Sequence, residues 1–387
     1  MNITFVTDTY SPQANGVATT LERLVKGLRE RGHSVDVIRP AILACDEEGL
    51  QVPSIGLPGY KEVRFGFPIK LVLQARWYKR RPDVIYVATE TPLGASAISA
   101  ARALGIPAAS GFHTNFQQYM AHYQVPLLEK AAVKYLRHVH NRSTCTFVPS
   151  RDVIADLDSR GFRNLELLPK GVDTQFFSPK KRSQALRQSW GAREGTLVGL
   201  YVGRIAPEKN LPLLVKSFLE IQKRIPDFKG VFVGEGPKLE ELKREYPQFI
   251  YPGVLRGEDL AEHYASADLF LFPSITETFG NVTMEAMASG LAVVAYDYAA
   301  ARQHIRNGEN GFIAPFDDSD AYLELAMSAA NSDVSDIREN ARASARKVRW
   351  KKVIKRFEKQ LSILASGETV LPTPESLELE ELNNALS

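Results

Sequence analysis

The chain has 387 residues, 44% apolar and 24% charged, more than one ordinary core holds and enough for two globular domains. A formal net charge of +3 conceals segregation: basic residues lead through residue 170 and over 346–365, acidic ones over 171–345 and 366–387, so an anionic partner is expected. No run of about 18 apolar residues exists, which excludes a membrane-spanning helix, and the start MNITFVTDTY lacks the basic-then-apolar layout of a secretory signal.

Short apolar, β-branched runs alternate with helical patterns, the mark of parallel α/β architecture. Strands are predicted at 3–8, 34–39, 84–88, 107–112 and 145–149, with helices over 18–31, 94–104, 127–141 and 151–160. The only cysteines, Cys45 and Cys145, have no metal or redox spacing, so a reducing cytoplasmic setting is expected. Pro, Gly and Asp gather over 169–179 (PKGVDTQFFSP), which reads as a connection between domains. The pattern restarts with strands at 197–203, 230–234, 269–274 and 291–296. A basic segment of helical period covers 347–364, and Trp350, Val353, Phe357 and Leu361 form its apolar stripe. The expected domains are therefore 1–170 and 171–345, with a helix in 346–365 and an acidic, disordered tail at 366–387.

The richest segment is SITETFGNVTMEAMASG (274–290), which leaves an apolar strand, passes a glycine turn and enters a helix near Asn281. Open α/β sheets bind ligands at strand carboxyl ends, where helix N-termini expose N–H groups. The N–H groups around Phe279, Gly280, Asn281 and Val282 would face a diphosphate or a sugar hydroxyl. Glu277 in the turn and Glu285 one turn into the helix can each accept hydrogen bonds from an extended ligand. Two ordinary surface acids would read the same.

In YVGRIAPEKN (201–210), Arg204 and Lys209 flank a Pro-containing turn after a strand. Two cations there can neutralise a leaving diphosphate. The other reading of this segment is an exposed basic loop with Glu208 as a helix-start acid. TDTYSPQANGVATTLERL (7–24) places Gly16 before a helix, where backbone can pass close to a phosphate or simply turn. His113 in SGFHTNFQQY (110–119) follows a strand directly, a position open to a functional or a structural histidine.

Together these clusters resemble glycosyltransferase family 4. Glu277 and Glu285 match its E-x7-E signature and GRIAPEKN its G-R-x-x-x-E-K-N, with the bacterial GDP-mannose-dependent α-mannosyltransferases as the most similar branch. The resemblance covers about residues 1–362 and implies the GT-B fold, two Rossmann-like domains facing each other across a donor-binding cleft. It implies that Arg204 and Lys209 hold the donor diphosphate, with Gly16 beside the phosphates. Glu285 would bind the ribose, and Glu277 the transferred sugar, helped by Phe279, Gly280 and Asn281. His113 would contact the sugar, and Asp8 and Tyr10 would point to the acceptor region. The implied reaction retains anomeric configuration and needs no cofactor and no metal. The acid pairs Asp156/Asp158 and Asp318/Asp320 read as a helix interior and a helix start.

Segments 68–82 (PIKLVLQARWYKRRP) and 127–142 are basic and amphipathic, which suggests peripheral contact with anionic lipid and a lipid-linked or glycan acceptor, although solvated basic helices packed on their own sheet would read the same. No nucleic-acid partner is expected, because paired acids at a cleft do not suit one. A dehydrogenase is disfavoured: GEGPKL (234–239) lacks the third small residue of a dinucleotide turn.

Overall fold

A computed structural model describes residues 1–10, 16–41, 49–57, 60–113, 126–277 and 279–367. The described residues divide into two units. One runs to Pro169 and resumes at Val353; the other is Lys170–Lys352.

The first unit is built on a seven-stranded parallel sheet. Its strands are β1 (Asn2–Val6), β2 (Ser34–Pro40), β3 (Leu50–Val52), β6 (Val84–Val87), β7 (Ala108–Gly111), β8 (Cys145–Val148) and β9 (Leu165–Leu167), in the order β3-β2-β1-β6-β7-β8-β9. Helices cover both faces, so the central strands are buried throughout and read as unbroken apolar runs rather than alternating ones. A separate antiparallel hairpin, β4 (Ser54–Leu57) with β5 (Tyr60–Gly66), was not foreseen from sequence.

The second unit repeats this scheme. Its strands are β10 (Val198–Val202), β11 (Lys229–Val233), β12 (Ile250–Gly253), β13 (Leu269–Phe272), β14 (Ala292–Tyr296) and β15 (Phe312–Ala314), ordered β12-β11-β10-β13-β14-β15 and parallel throughout. In each unit the order reverses beside the first strand, at β1/β6 and at β10/β13. Such switch points leave a crevice outside the strand carboxyl ends.

The last helix, Trp350–Ser366, starts and ends later than predicted. Val353, Phe357 and Leu361 are its buried stripe, and Phe357 meets Tyr86, Phe147 and Phe5 edge-on at centroid distances of 5.0, 5.1 and 6.1 Å. Trp350 departs from the predicted stripe: it is half-buried and belongs to the second unit, where its backbone lies against Gly171. Residues 169–179 are more than a connection. The Val172 N–H donates to the Val348 carbonyl at 2.9 Å, and Arg342 donates to the carbonyls of Phe177 and Thr174. Residues 368–387, most of the expected acidic tail, and Cys45 lie outside the described residues.

Candidate functional site

The switch point of the second unit explains why motifs some 70 positions apart meet. Arg204 follows β10, Glu277 follows β13, and these strands are hydrogen-bonded neighbours. After β10 the chain makes a short 3₁₀ turn, Pro207–Lys209, closed by Asn210 in the left-handed region (φ 52°) before the helix Leu211–Arg224. That turn aims Lys209 across to the next loop. Its Nζ donates to Glu277 Oε1 at 2.5 Å, to the Thr276 carbonyl at 3.0 Å and to Ser274 Oγ at 3.3 Å. Ser274 Oγ in turn donates to Glu277 Oε1 at 3.0 Å. Lys209 is thus seated in the loop that carries Glu277.

Arg204 is more open, 34% exposed, and its Nη1 donates to Glu208 Oε1 at 2.9 Å. Glu208 lies in the first turn of the Pro207–Lys209 segment but is not exposed, against the exposed-loop alternative. It is 2% exposed, and its backbone carbonyl accepts from Thr276 Oγ1 at 3.1 Å, a second tie between the two loops. Its Oε2 and Asn281 Oδ1 are buried polar atoms without a hydrogen-bond partner among the described residues. The Gly-Glu-Gly turn after β11 lies alongside, since the Ile205 N–H donates to the Glu235 carbonyl at 2.8 Å.

Gly280 precedes the helix Asn281–Ala288 at φ 87°, a left-handed conformation that a side chain would strain by about 1–2 kcal/mol. It turns the chain so that the helix N-terminus opens beside Glu277, with Asn281 and Val282 half-buried in its first turn. Phe279 precedes Gly280 in this turn. Its ring is buried, edge-on to His304 at 6.0 Å, and its carbonyl accepts from the Ala300 N–H, so the side chain belongs to the core. Glu285 lies on the helix and accepts from the Tyr264 hydroxyl at 3.0 Å, while Tyr298 holds the Glu277 carbonyl at 2.9 Å. Burial beside Glu285 keeps the Tyr264 phenol far above its ordinary value, so it remains a donor.

The remaining candidates belong to the first unit. His113 follows β7 and is half-buried, its Nε2 2.6 Å from the Tyr86 hydroxyl. Burial, reinforced by Glu90, drives the Tyr86 phenol well up, so it stays protonated and can donate to Nε2. Gly16 opens the helix Gly16–Glu30 at the surface, and the five residues before it lie outside the described residues.

The Asp8 carboxylate is engaged within its own unit. Its Oδ1 accepts from the Gly66 N–H at 2.5 Å, and its Oδ2 from Thr89 Oγ1 at 2.7 Å and from Thr91 Oγ1. Burial raises its carboxyl and these donors oppose the rise, which describes a knot tying β1, β5 and the 89–91 turn together. Tyr10 is half-buried under the Arg39 guanidinium, 5.5 Å from its ring centroid. The acid pairs serve the helices as expected: Asp318 caps Ser319–Asn331 through the Ala321 N–H, and Asp156 pairs with Arg160.

Comparisons with known proteins agree with this geometry. The family described as "Glycosyltransferase Family 4" matches residues 14–176, and "Glycosyl transferases group 1" matches 182–348. A GDP-mannose-dependent alpha-mannosyltransferase of Mycobacterium tuberculosis is 31% identical over 81% of this chain and 84% of its own. A sulfoquinovosyl transferase of Arabidopsis thaliana is 31% identical over 87% of this chain and 68% of its own. The structure of Anabaena HepE in complex with UDP and glucose superposes with a TM-score of 0.74 at 19% identity, covering 94% of this chain and 99% of that one. With both halves of the chain matched in order and the two Rossmann-like units of a GT-B enzyme in place, the chain belongs to glycosyltransferase family 4, as a hexosyltransferase using a nucleotide-sugar donor.

Proposed function

We propose that the enzyme moves mannose from GDP-mannose to a hydroxyl of a lipid-linked or glycan acceptor, retaining anomeric configuration and needing no obligatory metal. The observation that carries this is the Lys209–Glu277 pair beside Arg204 at neighbouring strand ends. Glu277 takes hydroxyls of the sugar. Arg204 and Lys209 meet the diphosphate, whose charge grows as its bond to the anomeric carbon breaks, the task a divalent ion performs elsewhere. Glu285 takes the ribose. The acceptor attacks from the face the diphosphate leaves. Its hydroxyl proton passes to the departing phosphate oxygen, so no enzymic nucleophile is needed. The choice of GDP-mannose is supported by the mannosyltransferase relatives; a UDP-sugar is the alternative.

Thermal-shift measurement against GDP-, UDP- and ADP-sugars tests the donor, since stabilisation follows differential binding to the folded state. GDP-mannose is expected to give the largest shift, and turnover with it to survive EDTA with an α-linked product. A larger shift with a UDP-sugar would replace GDP-mannose in this reading.

A lipid acceptor is supported by the helix Lys70–Lys79. Leu71 and Tyr78 are 78% and 84% exposed and Val72 is also exposed, beside Lys70, Lys79 and Arg80. Trp77, grouped with them on sequence, is instead buried in the first unit's core. The protein should sediment with anionic liposomes at low ionic strength and be released by salt, which screens surface attraction. Equal sedimentation with zwitterionic liposomes, or none with anionic ones, would remove the electrostatic contact.

A further inference from the structure

Lys170 stands in Pro169-Lys170-Gly171-Val172, where a lysine would be expected to reach water. Instead it is 8% exposed, with its Nζ 5.9 Å from the centroid of the Phe279 ring and in the field of the Glu277 carboxylate. No described residue accepts a hydrogen bond from it. The backbone after it is clamped: a Cβ on Gly171 would lie 2.7 Å from the Trp350 nitrogen, and the Val172 N–H is bonded to Val348. The chain that carries Lys170 is therefore fixed on its C-terminal side.

A largely buried ammonium with no acceptor among the described residues is costly, and a methionine would fill the same space beside Phe279 without desolvating a charge. The lysine makes sense if its acceptors come from a ligand. We propose that Lys170 is a third cation of the donor site, which completes its hydrogen bonds on oxygens of the bound nucleotide-diphospho-sugar next to Glu277. This inference rests on the donor-site reading above.

Its charge state supplies a signature. Burial pulls the ammonium down from 10.5 to about 8, with Glu277 opposing. His304 and Tyr201 lie outside that range. Burial holds His304, behind Phe279, at about 4, and burial with Glu277 and Glu208 keeps Tyr201 far above its ordinary value. Glu277 itself is ion-paired with Lys209. Because the folded value lies below the unfolded one, the charged lysine destabilises the donor-free fold most below pH 8, and this cost fades as pH rises from about 8 toward 10.5.

The test uses the full-length chain and its K170M and K170R variants, with GDP-mannose or whichever nucleotide sugar stabilises the parent. K170M should melt at or above the parent at neutral pH without donor, with the difference shrinking at alkaline pH. It should lose most of the donor-induced shift and about thirtyfold in kcat/KM, as expected for losing a hydrogen bond to a charged group. In the parent, kcat/KM should fall above about pH 8; K170R, always charged, should lack that limb. The inference is overturned if K170M keeps kcat/KM within about threefold of the parent, or if it melts well below the parent or fails to fold. It is equally overturned if K170R keeps the alkaline limb. A parent that no nucleotide sugar stabilises would instead sink the donor-site reading, which separates the two failures.

Discussion

Replacing Lys209 with alanine should lower kcat with the nucleotide-sugar donor by about a thousandfold, roughly 4 kcal/mol of barrier, with the protein still folded. Two losses combine. The leaving diphosphate loses a buried cation, whose field is little screened by water. Glu277 also loses its partner at 2.5 Å and keeps Ser274 at 3.0 Å, so the acid proposed to bind the sugar is less firmly placed. The fold should lose only a few degrees, because Glu277 retains a hydrogen bond and part of its surface in solvent. K209R should be intermediate at best: a planar fork cannot reproduce three bonds converging on Ser274 Oγ, Thr276 O and Glu277 Oε1. Steady-state turnover alongside circular dichroism decides the matter. An alanine variant within about tenfold of the parent would leave the chemistry elsewhere.

The second large effect lies at the opposite edge of the same sheet. Asp268, just before β13, receives Arg182 at 2.8 Å, Arg187 at 3.1 Å and Arg338 at 3.4 Å, and accepts the Val198 N–H at 3.0 Å. Arg187 is buried. Burial pulls the Arg338 guanidinium down and Asp268 opposes this, while Arg182 and Arg187 add to the fall. Asp268→Ala strips the one carboxylate from three converging cations, and removing one partner of a buried pair costs about 3–5 kcal/mol. For a unit of this size that is a melting temperature lower by about 10 °C. D268N, which keeps an oxygen acceptor, should fall between. Below the melting range kcat should match the parent, because these groups sit at the strand N-terminal edge, away from Arg204 and Glu277. A shift of under about 2 °C in calorimetry would contradict the role given to Asp268.

Much of the fold was legible because parallel strands covered on both faces are written as unbroken β-branched runs, and the candidate site because the loops after their carboxyl ends are where ligands bind in such sheets. LVGLYVG led to Arg204, and LFLFPS to Glu277. Strands of three residues, β3, β9 and β15, are too short to carry a period, and the 54–66 hairpin contains glycines that read as loop. The harder misses concern burial. Glu208 and Lys170 are charged, so a sequence reader sets them in water. Trp77 sits in a basic, amphipathic segment, and only the packing reveals that its ring turns inward. Asp8 showed the converse: a carboxylate at a strand end looks available until Gly66, Thr89 and Thr91, distant in sequence, prove to occupy both oxygens. Whether a polar group is spent or available is a tertiary fact.

The return of residues 353–366 to the first unit has a consequence for synthesis. Everything from Lys170 to Lys352 is contiguous and can fold as it leaves the ribosome. The first unit cannot finish in that order, because Phe357 fills the space among Phe5, Tyr86 and Phe147. The half made first is the half completed last. Until the final helix emerges, the nascent chain carries an open aromatic slot beside the strand that holds Tyr86, the partner of His113, and that slot is where chaperones or misfolding would act.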